Sequence, residues 1–251
     1  MTNDTISSSP RGIQSIEVGG QLLIALAHHG RPLALKDLAA AAGMAAAKAH
    51  AYLVSFIKIG LVEQDGSKYG LGPLALQLGL ISLQQYEPVR LATPRIEALA
   101  LEIGHTVAIA VWGNRGPTIV RVAEAPSPVH ISMRHGTVMS LTGTASGRLF
   151  AAFLPAATVA LAQEGSTPFK PKALAAIRDA RLAQSQDGVI SGVSALAAPV
   201  FDDQGRIVLS LTAIGPSGSF DLQADGALAL ALKGAGAALS RQLGWQPAAA
   251  Y

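Results

Sequence analysis

The sequence predicts an α+β protein of two domains: an N-terminal winged helix-turn-helix, a linker helix, and a C-terminal domain built on antiparallel sheet. Three observations predict it. The chain has 251 residues, longer than a typical single domain. Its first part reads helix, helix, tight turn, helix, hairpin, the order of a winged helix-turn-helix. Further on, the apolar pattern changes from helical period to strand alternation, in pairs separated by turn residues and mixed with helices.

Each element follows from local chemistry. Residues 13–30, IQSIEVGGQLLIALAHHG, carry apolar side chains at helical spacing and stop at Gly30. A short helix over 34–43 ends at Gly43, and a third runs from about Ala45 to Ile59 and stops at Gly60. The stretches 61–64 and 68–71 flank an Asp65-Gly66 turn and form a hairpin. Residues 73–86 make a connecting helix, and a further helix follows Pro88 through about Ile103. Strands are predicted at 106–112 and 118–124, with a third at 129–133. Residues 145–162 and 171–184 look helical. A second hairpin joins 194–201 to 206–214 through the turn DDQG, and an Ala-rich helix over about 222–243 closes the chain. The resulting boundaries are a disordered tail at 1–12, the winged helix at 13–72, the linker helix at 73–87 and the C-terminal domain at 88–245.

Composition narrows the function classes. Half of the residues are hydrophobic, 14% are charged and 5% are aromatic, which favours helix-rich, small-residue packing and a buried oligomer interface. The net charge of +3 permits nucleic acid without demanding it. There is no cysteine, hence no disulfide frame, thiol nucleophile or Cys-bound zinc. No cofactor is called for. The start of the chain, MTNDTISSSPRG, lacks a signal-peptide core, and the late apolar run 227–243 is too short and too Gly-rich to span a bilayer. A soluble cytoplasmic protein without membrane contact is expected. No catalytic set is visible. There is no G-x-S-x-G elbow, the Ser residues of 191–195 and 216–219 lack its strand-turn-helix context, and His28 and His29 are adjacent on a helix, so they cannot easily share a metal.

The third helix of a winged helix-turn-helix is the one that enters the major groove. At ~100° per residue, Leu53 marks its buried face, with Ala49, Phe56, Ile57 and Gly60 near it. The opposite face carries Ala47, Lys48, Ala51, Ser55 and Lys58. Bases are read by Arg, Lys, Asn, Gln, Ser or Thr, so alanines thin this readout to a methyl contact. Lys48, Lys58 and the wing residue Lys68 are suited to phosphates, and Lys48 also to guanine. His50 lies between the faces, at the core edge or toward DNA. Residues 1–80 hold six basic and five acidic side chains, a net charge of only +1.

Several blocks carry a family resemblance: IQSIEVGGQLLIAL at 13–26, FIKIGLVEQD at 56–65 running into YGLGPLALQLG at 69–79, TASGR at 144–148, and AAPVFDDQGRIV at 197–208. Over almost its whole length the chain resembles the IclR family of bacterial transcription regulators. The resemblance implies a C-terminal effector domain related to the GAF fold, homodimers or homotetramers, double-stranded operator DNA as partner, and a small organic molecule as effector. It also implies Ser and Thr where this helix has Ala47 and Lys48, and Arg where it has Ala51.

For the effector site, the start of the predicted helix at Thr144 offers free N–H groups, with Thr144 or Ser146 as cap. Carried over from the family by position, Ile131, Met133, Met139 and Leu141 supply an apolar wall, and Ala145, Ser146 and Gly147 supply backbone donors. The opposite wall falls on Ala195, Thr212 and Ile214, where the family often has Cys, Ser and Ser. Its acidic position falls near Gln186 or Asp187. Loss of polar wall favours an aromatic or otherwise bulky carboxylate over a small keto acid. The sequence therefore predicts a ligand-responsive regulator that binds operator DNA. The alternative is a ligand-sensing co-regulator with weak or no intrinsic DNA binding.

Overall fold

The computed structural model describes residues 12–85, 87–127, 131–162 and 169–246. The predicted N-terminal tail lies outside these residues, except for Gly12. Contacts divide the chain into two compact units, residues 1–81 and 82–251.

In the first unit, α1 (Gln14–His29) closes on Gly30, whose φ of 61° lets its N–H reach Leu26 O. A two-residue strand β1 (Leu33–Ala34) leads into α2 (Leu35–Ala41), then α3 (Ala46–Lys58). α2 and α3 meet at 101°, within the helix-turn-helix range. The hairpin β2 (Val62–Asp65) and β3 (Lys68–Leu71) completes a sheet of order β1-β3-β2. Asp65 pairs with Lys68, so the turn is Gly66-Ser67, one residue later than predicted. Leu22, Leu26, Leu38, Leu53 and Val62 form the buried core. α4 (Pro73–Gln85) follows, and its Leu76, Leu78 and Leu80 are exposed on the single chain.

The first helix that lies wholly in the second unit is α5 (Glu87–Ile103). Its sheet has the order β5-β4-β8-β7-β6. The strands are β4 (Thr106–Gly113), β5 (Gly116–Ala123), β6 (Ala183–Gln186), β7 (Val193–Phe201) and β8 (Ile207–Pro216). All the pairings are antiparallel. α5 and the closing helix α9 (Ala227–Gln242) share one core with Val107, Ile109, Leu196, Leu209 and Leu211. The helix α6 (Ala145–Phe153) packs on the other face, against Ala108, Ala110, Ala195 and Ala197. Strand alternation thus sends large side chains to one face and alanines to the other. The alanine face leaves room. α7 (Ala156–Ala162) and α8 (Pro171–Ala180) complete the unit.

Four expectations are corrected. The helix over 145–162 breaks at Leu154, which is extended ahead of Pro155. The helix over 171–184 stops at Ala180, because Arg181 turns left-handed and residues 183–186 alternate buried and exposed as β6. The closing helix starts at Ala227, after Gly226, not at 222. The strand over 129–133 is not formed at Ile131–Met133; Val129 and His130 lie outside the described residues. The chain instead meets β5 after a left-handed turn at Gly136, through a bridge of Val138 to Thr118. Five alternating residues cannot distinguish a strand from an extended segment along a cavity.

Candidate functional site

Two surfaces concentrate the predicted functional residues, one in each unit. On α3, Ala49 and Leu53 are fully buried, whereas Lys48, His50, Ala51, Ser55 and Lys58 are exposed. The helical register read from the sequence holds, with one correction: Ile57, assigned to the buried side, is 36% exposed. His50 does not pack into the core. The Ser55 hydroxyl donates to Ala51 O at 3.3 Å, so part of its capacity is spent on its own helix. Lys68 stands exposed at the tip of the hairpin. α3 begins at Ala46 without a side-chain cap, which leaves its first amides without a side-chain acceptor.

On the alanine face of the large sheet lies a cavity of about 310 Å³. Its floor is Ala195, Thr212 and Ile214, its near wall the start of α6, and its far wall Ile131, Met133 and Met139. Thr144 caps α6: its Oγ1 accepts from Gly147 N at 3.0 Å and donates to Ser140 O at 2.7 Å. The amides of Ala145 and Ser146 precede the first intrahelical bond and have no partner among the described residues. Ser146 Oγ and Thr212 Oγ1 are 2.8 Å apart, a buried pair that joins helix to sheet. Among the described lining residues, Arg134 at the mouth carries the single formal charge. One cation, two open amides and no carboxylate favour an anionic group.

Two predicted lining residues fall elsewhere. Leu141 turns away and packs with Ala151 and Val159 in a separate cluster. Gly147 gives its amide to Thr144, and a side chain there would run into the carbonyls of Ser140 and Leu141. It lets the loop close on the helix instead of donating to a ligand. Arg148 is likewise committed: Nε donates to Thr142 O at 2.8 Å and a terminal N–H to Gln184 O at 2.7 Å. It borders a second hollow against α8, not the cavity.

The sequence reading missed the third wall, the β6–β7 hairpin, which supplies Ser185 and Val193 from its strands and Val189 and Ile190 from their connection. Neither Gln186 nor Asp187 lines the cavity. Asp187 Oδ1 accepts from Gly192 N at 2.6 Å and Ser217 Oγ at 3.1 Å, so its carboxylate holds the connection in shape. Gly188 lies so close to Gly143 that a side chain would strike the Gly143 carbonyl. The paired glycines, one in each loop, are the signal that was there to be read.

Comparison with known proteins places both units. The IclR helix-turn-helix domain matches residues 15–66, and the C-terminal domain of the bacterial transcriptional regulator IclR matches residues 81–241. The chain belongs to the IclR family. It is 31% identical to the glycerol operon regulatory protein of Streptomyces griseus, over 93% of this chain and 98% of that one. The crystal structure of Pseudomonas aeruginosa HmgR superposes with a TM-score of 0.73 at 36% identity, over 93% of this chain and all 100% of that one. An IclR homolog from Microbacterium hydrocarbonoxydans, solved in complex with 4-hydroxybenzoate, shares the fold at 15% identity and a TM-score of 0.74, over 91% and 98% of the two chains. As an IclR-family transcription regulator, the chain carries a DNA-binding helix-turn-helix unit and a C-terminal effector-binding domain. No single described helix is long and apolar enough to cross a membrane.

Proposed function

We propose that this regulator binds operator DNA through residues 13–72 and senses an aromatic or otherwise bulky organic carboxylate in the cavity of residues 88–245, with 73–87 as the linker. Lys48, His50, Ala51, Ser55 and Lys58 form the reading face, and Lys68 the wing contact. The carboxylate sits at the Ala145 and Ser146 amides, with Arg134 above it. The observation that carries this reading is the charge pattern of the lining: one arginine, two free amides and no carboxylate, in a cavity otherwise walled by apolar and hydroxyl side chains. A volume of about 310 Å³ is at the small end of ligand pockets, and the 4-hydroxybenzoate complex of a protein with the same fold is consistent with a ligand of this class. The exposed Leu76, Leu78 and Leu80 of α4 provide apolar surface for a homodimer or homotetramer. The protein acts as a cytoplasmic binding protein, not as an enzyme.

A second reading, a co-regulator with weak DNA binding, is favoured by the exposed alanines of α3 and the tied-back Ser55 hydroxyl. Capture and sequencing of genomic fragments, followed by release with a panel of aromatic acids, tests both. Specific capture with acid-dependent release supports the regulator. Salt-sensitive binding with no sequence preference supports the co-regulator.

A further inference from the structure

The sheet face that floors the cavity continues past it. On β4, Thr106 alternates with Val107 and so shares the face of Ala108 and Ala110. It pairs across to Ile214, one of the floor residues. Thr106 is 2% exposed, and its Oγ1 is the single buried side-chain polar atom without a hydrogen-bond partner among the described residues. An unpartnered buried hydroxyl is costly and calls for an explanation. A small void of about 10 Å³ adjoins it, lined by His105, Thr106, Ile131 and Ile214 among others. That is close to the room one water oxygen needs. Ile131 and Ile214 also line the effector cavity, so the two spaces share a wall. Ile214 is fixed in the sheet, whereas Ile131 lies outside any strand or helix.

We infer that Thr106 is the distal polar contact of the effector, hydrogen-bonding a hydroxyl on the ligand at the end opposite its carboxylate. This rests on the carboxylate reading above. Thr212 opposes Ala108, which makes Thr106 its diagonal neighbour on the same face, ~7–8 Å away. Ser146, which is bonded to Thr212, stands at the carboxylate end. The interval is about the span of a benzene ring substituted at both ends. A ligand hydroxyl has the size of the water that the void admits, and it enters when Ile131 shifts aside. The class of effector is therefore a hydroxylated aromatic acid, not an unsubstituted one.

The test is calorimetry on the full chain with benzoate and its 3- and 4-hydroxy derivatives, for wild type, Thr106→Val and Thr106→Ser. Wild type binds a hydroxylated acid more tightly than benzoate. Thr106→Val erases that preference, a loss of roughly three- to tenfold, leaves benzoate affinity unchanged and melts no lower than wild type. Thr106→Ser retains the preference. If wild type binds benzoate and the hydroxy acids equally, the carboxylate reading stands and this inference alone falls. If it binds none of them, both fall. A Thr106→Val protein that melts lower and loses all three acids in proportion makes the hydroxyl structural and overturns the inference.

Discussion

Ser146 Oγ lies 2.8 Å from Thr212 Oγ1, and Thr212 Oγ1 in turn lies 3.3 Å from Ser210 Oγ. All three residues are buried, so this short chain of hydroxyls joins the first turn of α6 to β8 beneath the proposed effector cavity. Thr212 is its middle member. Ser146→Ala leaves Thr212 bonded to Ser210, and should cost less than ~1 kcal/mol. Thr212→Val strands both serines, and should cost ~1–3 kcal/mol. Urea melts of the two single variants and the double variant check the order. Equal costs, or a strictly additive double variant, would mean that the hydroxyls do not act as one chain.

The parts of this fold that were legible in the sequence are those with local signals. Gly30, Gly43 and Gly60 each follow an apolar periodic run, and each adopts a positive φ where a helix must stop. Gly66 and Gly205, also at positive φ, mark the two hairpin turns for similar reasons, although the first turn falls one residue later than Asp65-Gly66. The illegible parts depend on distant partners. β1 has two residues and exists because Leu33 and Ala34 pair with Tyr69 and Lys68. β6 reads AQSQ, with little strand propensity, and is held by β7. The third cavity wall arrives through the contact of Gly188 with Gly143, 45 residues apart by number. Leu141 was misplaced because a loop has no period to say which way its side chain turns.

Arg134 lines the cavity mouth and is exposed, so its attraction for a carboxylate is partly screened. Arg134→Gln should weaken binding of benzoate or a hydroxybenzoate by about three- to tenfold at low salt, with a smaller loss at high salt. The melting temperature should not move. Titrations at two ionic strengths decide it, and a salt-independent loss would point to altered packing instead of charge.

Burial holds the His105 imidazole below its ordinary pKa of 6.5. The ring packs on Phe220 with centroids 4.9 Å apart, and the Gly215 backbone lies close to it. As pH falls, the unfolded chain therefore takes up this proton before the folded chain does. The contribution of His105 to stability is complete above 6.5 and is lost as pH drops from there through the lower folded pKa. His105→Gln should flatten that part of the profile. Melting temperatures of both proteins between about pH 8 and pH 5 give the comparison; curves that stay parallel would remove His105 from the account.

Ala51 is the most informative position on the recognition helix. It is exposed, ~160° around the helix from the buried Leu53. Arginine is nearly as good a helix former as alanine, and the Ser55 bond to Ala51 uses the backbone carbonyl, which a substitution keeps. Ala51→Arg should therefore leave the melting temperature almost unchanged. Its effect on DNA should be large, because one bidentate Arg–guanine contact is worth ~1–3 kcal/mol, and the proposed homodimer would present two copies. A base contact tightens binding at particular sites only. A phosphate contact tightens it at all sequences and steepens the salt dependence. Gel shifts on captured fragments at two salt concentrations separate the two. If the folded variant binds every fragment as wild type does, the outer face of α3 does not enter the groove, and the readout must lie on other residues.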